Sequence, residues 1–204
     1  MGKNIAIVNY GAGNTASLRN AFEFLGKKAI LAEKASQLRE AEAVVFPGQG
    51  SFGQAMEYLE KSGNKEVLVE QILSGTPYLG ICLGLQVLFE SSEESPSAKG
   101  LGIFRGTNRR FSVEKKVPLI GWAKAEKEND SKLLDGIENG QYFYFVNSYF
   151  AVPENGAVVK GKSFYGEKFC SVVEGENVFA TQFHPENSGM KGIKILRNFL
   201  DVVK

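Results

Sequence analysis

Pro77-Tyr78-Leu79-Gly80-Ile81-Cys82-Leu83-Gly84-Leu85-Gln86 is the stretch on which the reading of this chain turns. A strand-length run, Pro77 to Ile81, passes through a glycine-flanked cysteine into a helical pattern expected to run from Leu83 to about Ser91. The form is G-x-C-x-G at a strand-to-helix junction. Small flanking residues let the backbone crowd there, and the central side chain is held up on a tight elbow. A helix N-terminus favours negative charge, hence a thiolate, and the Leu83 N–H would point to where an oxyanion forms. A small buried cysteine at a packed strand end gives the same local pattern. The surroundings have to decide.

Upstream, short apolar runs alternate with helical patterns. Ile5–Val8, Ala29–Leu31 and Ala43–Phe46 read as strands. Helices are expected from Asn14 or Thr15 to about Leu25, over Phe52–Lys61 and over Lys65–Leu73. This alternation argues for parallel βαβ units with helices on both faces. Downstream, 102–127, 141–152 and 164–182 are rich in β-branched and aromatic residues and read as largely antiparallel strands. A final helix, Met190–Val203, sets Ile193, Leu196, Phe199 and Leu200 on one face. The expected fold is α/β: an open, mostly parallel sheet flanked by helices, with an added antiparallel layer, in a single domain over residues 1–204.

The chain has 204 residues, and its 24 basic and 23 acidic side chains leave a net charge of +1. No broad basic face is available, so nucleic acid is not an expected partner. Hydrophobic residues make up 43%, enough for a substantial core. The apolar run at Ile5–Val8 is too short for a signal peptide or a membrane span, so a cytoplasmic protein without membrane contact is expected. Two cysteines without a Cys-x-x-Cys support neither a disulfide scaffold nor a zinc site, and no metal or cofactor is expected.

Two glycine-rich turns fit G-x-G-x-x-G/A. Gly11-Ala12-Gly13-Asn14-Thr15-Ala16 follows the first strand, with Glu33 about where a ribose-binding acid would lie. Gly48-Gln49-Gly50-Ser51-Phe52-Gly53 follows the third. Each is also what a sharp turn at a strand end requires. A cysteine nucleophile needs a base, and His184 is the one histidine in the chain. It lies just past an expected strand end in Thr181-Gln182-Phe183-His184-Pro185-Glu186, and Glu186 is placed to orient the ring and stabilise its charged form. Cys170, within a strand-like run without an elbow, reads as a core residue.

Gly80-Ile81-Cys82-Leu83-Gly84-Leu85-Gln86, Pro47-Gly48-Gln49-Gly50 and Gln182-Phe183-His184-Pro185-Glu186 together resemble the class I (triad) glutamine amidotransferases. Over its full length the chain is similar to one branch of them, the glutaminase subunits of imidazole glycerol phosphate synthase. The branch-specific marks are Tyr10-Gly11-Ala12-Gly13-Asn14, 88–94, Gly100-Leu101-Gly102, Val117-Pro118 with Gly121-Trp122, and Tyr144-Phe145-Val146 with Ser148-Tyr149. The resemblance implies that Cys82 attacks the side-chain amide of glutamine, that His184 moves the proton and that Glu186 orients His184. It implies oxyanion donors at the backbone of Leu83, Gln49 and Gly50, and substrate contacts from Gln86, Glu94, Ser148 and Tyr149. The expected partner is a (β/α)₈-barrel cyclase subunit that receives the ammonia in histidine biosynthesis.

The sequence departs from the branch at Leu119, Ala123, Asn147 and Asn187, where His, Asn, His and Lys are usual. The triad is untouched. A paralogous glutaminase feeding another synthase, such as a sugar-modifying one, would show the same triad. A nucleotide-binding module built on Gly11–Ala16 and a catalytically silent scaffold of the same fold are the readings from other classes.

Overall fold

The computed structural model describes residues 4–11 and 13–203. The first half winds as β1 (Ile5–Val8), α1 (Thr15–Phe24), β2 (Ala29–Ala32), α2 (Ala35–Arg39), β3 (Ala43–Phe46), α3 (Phe52–Ser62), α4 (Asn64–Leu73), β4 (Tyr78–Ile81) and α5 (Leu83–Gln86). The second half holds β5 (Ser91–Ser92), β6 (Gly106–Arg110), β7 (Leu119–Lys127), β8 (Gln141–Asn147), β9 (Tyr149–Pro153), β10 (Val159–Tyr165), β11 (Glu167–Glu174), β12 (Val178–Thr181) and α6 (Gly189–Val202). A nine-stranded sheet runs in the order β2-β1-β3-β4-β12-β11-β10-β7-β8. Strands β2, β1, β3, β4 and β12 are parallel, and from β11 onward the pairing is antiparallel. The expected antiparallel addition therefore has two parts. One continues the main sheet, and the other is a separate sheet of β5, β6 and β9.

The parallel strands are buried from end to end because both faces are covered. Ile5 and Ile7 of β1 face a core shared with Leu18 and Phe22 of α1 and Leu196 and Phe199 of α6. Ala6 and Val8 face the opposite core, with Leu38 of α2, Met56 and Leu59 of α3, and Leu68 and Ile72 of α4. Among the described residues no helix is long and apolar enough to cross a membrane.

Three local expectations change. The helix after Cys82 stops at Gln86 rather than near Ser91. The carbonyls of Val87, Leu88 and Glu90 are taken by the N–H groups of Leu101, Phe104 and Gly100, so they do not continue a helical ladder. α2 was not expected; it is a single short turn whose start is held by Gln37 Oε1, which accepts the Glu33 and Lys34 N–H groups. The run 141–152 is two strands in different sheets, separated at Ser148, whose carbonyl accepts the Phe111 N–H. In the first glycine-rich turn, Ala12 lies outside the described residues.

The glycines of the elbow are packing requirements. A Cβ on Gly80 would clash with the Gly84 carbonyl, and one on Gly84 would strike the Phe46 carbonyl of β3. Backbone cannot yield as a flexible side chain can. Gly84→Ala is therefore expected to cost about 2–3 kcal/mol of folding stability in urea unfolding. A midpoint equal to that of the parent would mean that β3 and the elbow are not packed this closely.

Candidate active site

Three neighbouring parallel strands deliver the site. β3, β4 and β12 are adjacent, with Phe46 opposite Gly80 and Ile81 opposite Thr181. The residues that follow their C-terminal ends are Pro47-Gly48, Cys82 and Gln182-Phe183-His184. Parallel strands end on the same edge of the sheet about 5 Å apart, so these side chains converge despite their distance in sequence. The approach is close. A Cβ on Gly48 would lie 2.7 Å from Cys82 Cβ and 3.0 Å from His184 Cε1. Glycine at position 48 leaves the space in which Cys82 and His184 meet.

Cys82 has φ 50° and ψ −99°, and it is the one non-glycine residue with positive φ among the described residues. Those angles belong to the first central position of a type II′ turn, which favours glycine. Strain of this kind costs about 1–3 kcal/mol and persists only where the surroundings impose it. Here Cys82 N–H is tied to the Thr181 carbonyl at 2.7 Å, and the Cys82 carbonyl accepts from Leu85 and Gln86. The sequence-based argument from a helix dipole weakens, because α5 is a single turn. What remains is its free amide: among the described residues the Leu83 N–H has no protein acceptor.

His184 is buried, and its Nδ1 lies 2.9 Å from Glu186 Oε1, which is also buried. Its backbone N–H is fixed by the Tyr144 carbonyl at 2.9 Å. With Nδ1 taken by Glu186, Nε2 is the nitrogen left for Cys82. Burial opposes charge on this ring and is the largest single influence. The Cys82 thiolate, its hydrogen bond to the ring, and then Glu186 together outweigh burial, and the imidazole is pushed up to about 10. The ring thus holds its proton against the Cys82 sulfur. Cys170 lies elsewhere, buried in β11, and burial pushes its thiol up to about 12. It is a core sulfur, as expected from the sequence.

A cavity of about 500 Å³ opens over Cys82. Gly48, Gln49, Gly50, Leu83, Gln86, Glu94, Ser148, Tyr149 and His184 line it, so every other position expected from the sequence except Glu186 borders this space. Glu186 lies behind His184, in keeping with an orienting role. Gln86 differs in detail from a free ligand-binding amide: its Nε2 donates to the Tyr149 carbonyl at 2.8 Å and to Gln182 Oε1 at 3.2 Å. Only its Oε1 is left for a ligand. Glu94 Oε2 accepts the Phe52 N–H at 2.7 Å and so also caps α3.

Gln49 requires a correction. Its N–H does not serve the oxyanion position in this structure; it donates to the Tyr10 hydroxyl at 3.1 Å. That hydroxyl also reaches the Pro47 carbonyl at 3.0 Å and the Gln49 carbonyl. One phenol therefore holds both ends of the turn, and the amide is spent. Tyr10 and Gln182 are the residues that sequence reasoning did not assign. Both stood inside quoted motifs, but nothing in a linear sequence shows which polar atom they meet.

Glu33 Oε1 accepts from Asn9 Nδ2 at 3.0 Å, beside the first glycine-rich turn. This contact occupies the acid that a nucleotide-binding reading would need for ribose.

The model of the family "Glutamine amidotransferase class-I" matches residues 6–203. The chain is 46% identical to "Imidazole glycerol phosphate synthase subunit HisH" of Methanothermobacter thermautotrophicus, over 98% of this chain and 99% of that protein. It is 44% identical to the subunit of the same name from Methanocaldococcus jannaschii, over 98% of this chain and 100% of that protein. Among solved structures, "Structure of PurLQS from Thermotoga maritima" superposes with a TM-score of 0.79 at 20% identity, covering 100% of both chains. At that identity the likeness concerns the fold.

Because the chain has one histidine, its ring-proton NMR signals report His184 alone. The ring is expected to hold its proton up to about 10. Its contribution to folding stability is complete below the ordinary imidazole value of 6.5 and is lost as pH rises through about 10. In Cys82→Ala the burial remains while the thiolate is gone, so the midpoint is expected to fall well below that of the parent. A midpoint that stays where it was would show that the sulfur carries no charge beside the ring.

Proposed function

The chain belongs to the class I glutamine amidotransferases, in the branch of the HisH subunits of imidazole glycerol phosphate synthase, and on that premise we propose that Cys82, His184 and Glu186 hydrolyse glutamine to glutamate and ammonia for a synthase partner. The observation that carries the reading is the Cys82 sulfur set against the His184 ring on adjacent strand ends, backed by the buried Glu186 carboxyl.

The chemistry follows from that geometry. The Cys82 sulfur attacks the side-chain amide carbon of glutamine, forming the C–S bond and placing negative charge on the amide oxygen. The Leu83 N–H serves that charge, and Gly50 lines the same cavity. His184 Nε2–H gives its proton to the amide nitrogen as the C–N bond breaks, so ammonia leaves and a thioester remains. The imidazole, now neutral, takes a proton from water. The hydroxide attacks the thioester, and glutamate departs as the thiolate is restored. Glu186 holds Nδ1–H throughout, which keeps Nε2 turned to the sulfur. Gln86 Oε1, Glu94, Ser148 and Tyr149 line the space for the amino-acid end of the substrate, where Glu94 suits an α-ammonium.

Ammonia released to water would be diluted and mostly protonated, and ammonium has no lone pair with which to attack. Delivery therefore calls for a partner docked at the cavity. A matching surface lies beside it. On β7 and β8 the outward side chains Ile120 and Val146 are cross-strand partners, as are Trp122 and Tyr144. Ile120 is 62% and Trp122 56% exposed, and Val146 and Tyr144 also line the cavity. An apolar strip continuous with the reaction space suits the cyclase barrel, which this reading takes as the partner. Leu119 and Ala123 lie on the other side of β7, buried in the core, so their departure from the branch pattern repacks the interior and leaves the docking strip as it is.

Cys82→Ala is expected to abolish glutamine hydrolysis, while Cys170→Ala keeps most of it. Equal loss in both variants, measured as glutamate formed in the presence of the cyclase subunit, would mean that the nucleophile has been misassigned. Trp122→Glu is expected to weaken the complex at least tenfold in a titration with that subunit, the order of effect of a buried aromatic anchor. Unchanged binding would move the partner to another face.

A further inference from the structure

The Cys82 sulfur has a second polar neighbour besides the histidine that can donate to it. Gln182 is completely buried, and its Nε2 lies 3.4 Å from Cys82 Sγ. An amide can be turned either way, so the direction of this contact has to be argued from its partners.

The partners settle it. The Tyr149 carbonyl can only accept, and it takes both Gln86 Nε2 at 2.8 Å and Asn147 Nδ2 at 3.0 Å. Gln86 must therefore turn its NH₂ toward Tyr149. The same NH₂ faces Gln182 at 3.2 Å, so Gln182 must answer with its oxygen. That leaves the Gln182 NH₂ directed at the sulfur. Reversing Gln182 would set two NH₂ groups against each other and turn an amide oxygen onto a thiolate. The backbone carbonyl of Gln86 is itself held by Asn108 Nδ2 at 2.9 Å, and Gln182 N–H by the Ser171 carbonyl at 2.9 Å, so neither residue is free to shift.

We propose that Gln182 is a catalytic residue: its side-chain N–H donates to the Cys82 thiolate, and a polarised chain from the Tyr149 carbonyl through Gln86 to Gln182 fixes that donor in place. The sulfur lies between this amide, the His184 ring, and one acceptor, the Val146 carbonyl at 3.6 Å. The neutral thiol can donate to that carbonyl; the anion is served by the two donors. His184 gives up its proton and regains it in the course of the reaction, whereas the Gln182 N–H faces the sulfur throughout. Gln182 does not line the cavity over Cys82, so its contact is with the nucleophile from behind.

The proposal rests on Cys82 being the nucleophile, but its test does not require glutamine turnover. The rate of Cys82 alkylation by iodoacetamide is measured against pH on the intact chain, with the labelled cysteine identified by peptide mass. Gln182→Met keeps length and removes the donor. It is expected to move the midpoint of the profile up by about one pH unit, the order of one hydrogen bond to a charged group. Gln86→Met leaves Gln182 in place and removes the group that orients it, and a smaller upward shift is expected. Should Gln182→Met fail to fold, Gln86→Met still decides, because its side chain does not bond the sulfur. An unchanged midpoint in every folded variant overturns the proposal, even if glutamine hydrolysis falls. Shifted midpoints together with no glutaminase activity in the parent would uphold this proposal and count against the proposed function.

Discussion

The parallel pairing of β4 with β12 is the constraint on which the site depends. Register places Ile81 opposite Thr181, and the Cys82 N–H bonds the Thr181 carbonyl one step beyond. Cys82 and His184 therefore sit on neighbouring strand ends, and a shift of one residue would turn the following side chains to the opposite face. The neighbours protect that register. β3 lies on one side of β4 and β11 on the far side of β12, so neither strand is an edge. The Gly80–Gly84–Phe46 contacts leave no slack along the sheet normal. Such rigidity is what allows a cysteine to be held at backbone angles that suit glycine.

Burial sets the chemistry. A thiolate and an imidazolium removed from water are costly separately and tolerable together, because each cancels the other's charge at short range. Glu186 adds a further negative group in the same buried space, and one of its oxygens, Oε2, has no hydrogen-bond partner among the described residues. That orphaned oxygen is consistent with a carboxylate whose negative charge is answered by the protonated ring rather than by a full set of hydrogen bonds. The second thiol shows the contrast. Cys170 is equally buried, and there burial outweighs the Val172 carbonyl contact and the Lys162 charge, so its thiol is pushed up to about 12.

Much of this was legible in the sequence for a physical reason. Buried parallel strands are short continuous apolar runs, and Ile5–Val8, Ala43–Phe46 and Tyr78–Ile81 fall where such runs fall. The meeting of Cys82 with His184 was legible because an elbow needs glycine on both sides and because the chain has a single imidazole. What could not be read were features decided by distant partners. The helix after Cys82 is cut short by N–H groups from 100–104. The Gln49 amide is claimed by a phenol on the loop after β1. The direction of the Gln182 amide is set by the Tyr149 carbonyl through Gln86. In each case the local sequence permits several outcomes, and the tertiary contact selects one.

The site divides into a sealed part and an open part, and the division bears on how a partner can act. Cys82, His184, Gln182 and the Glu186 side chain are buried and fixed by bonds to strand ends or to each other. Gln49 and Gly50 are exposed, on a turn whose geometry hangs on the Tyr10 hydroxyl. A protein that covers the cavity cannot rebuild the sulfur's surroundings without unpacking the sheet. It can reach the turn, where breaking one hydrogen bond frees a backbone amide at little cost in packing. The surroundings of the Cys82 sulfur are thus set by this chain's core, whereas the Gln49–Gly50 turn belongs to the exposed rim that a covering protein would touch.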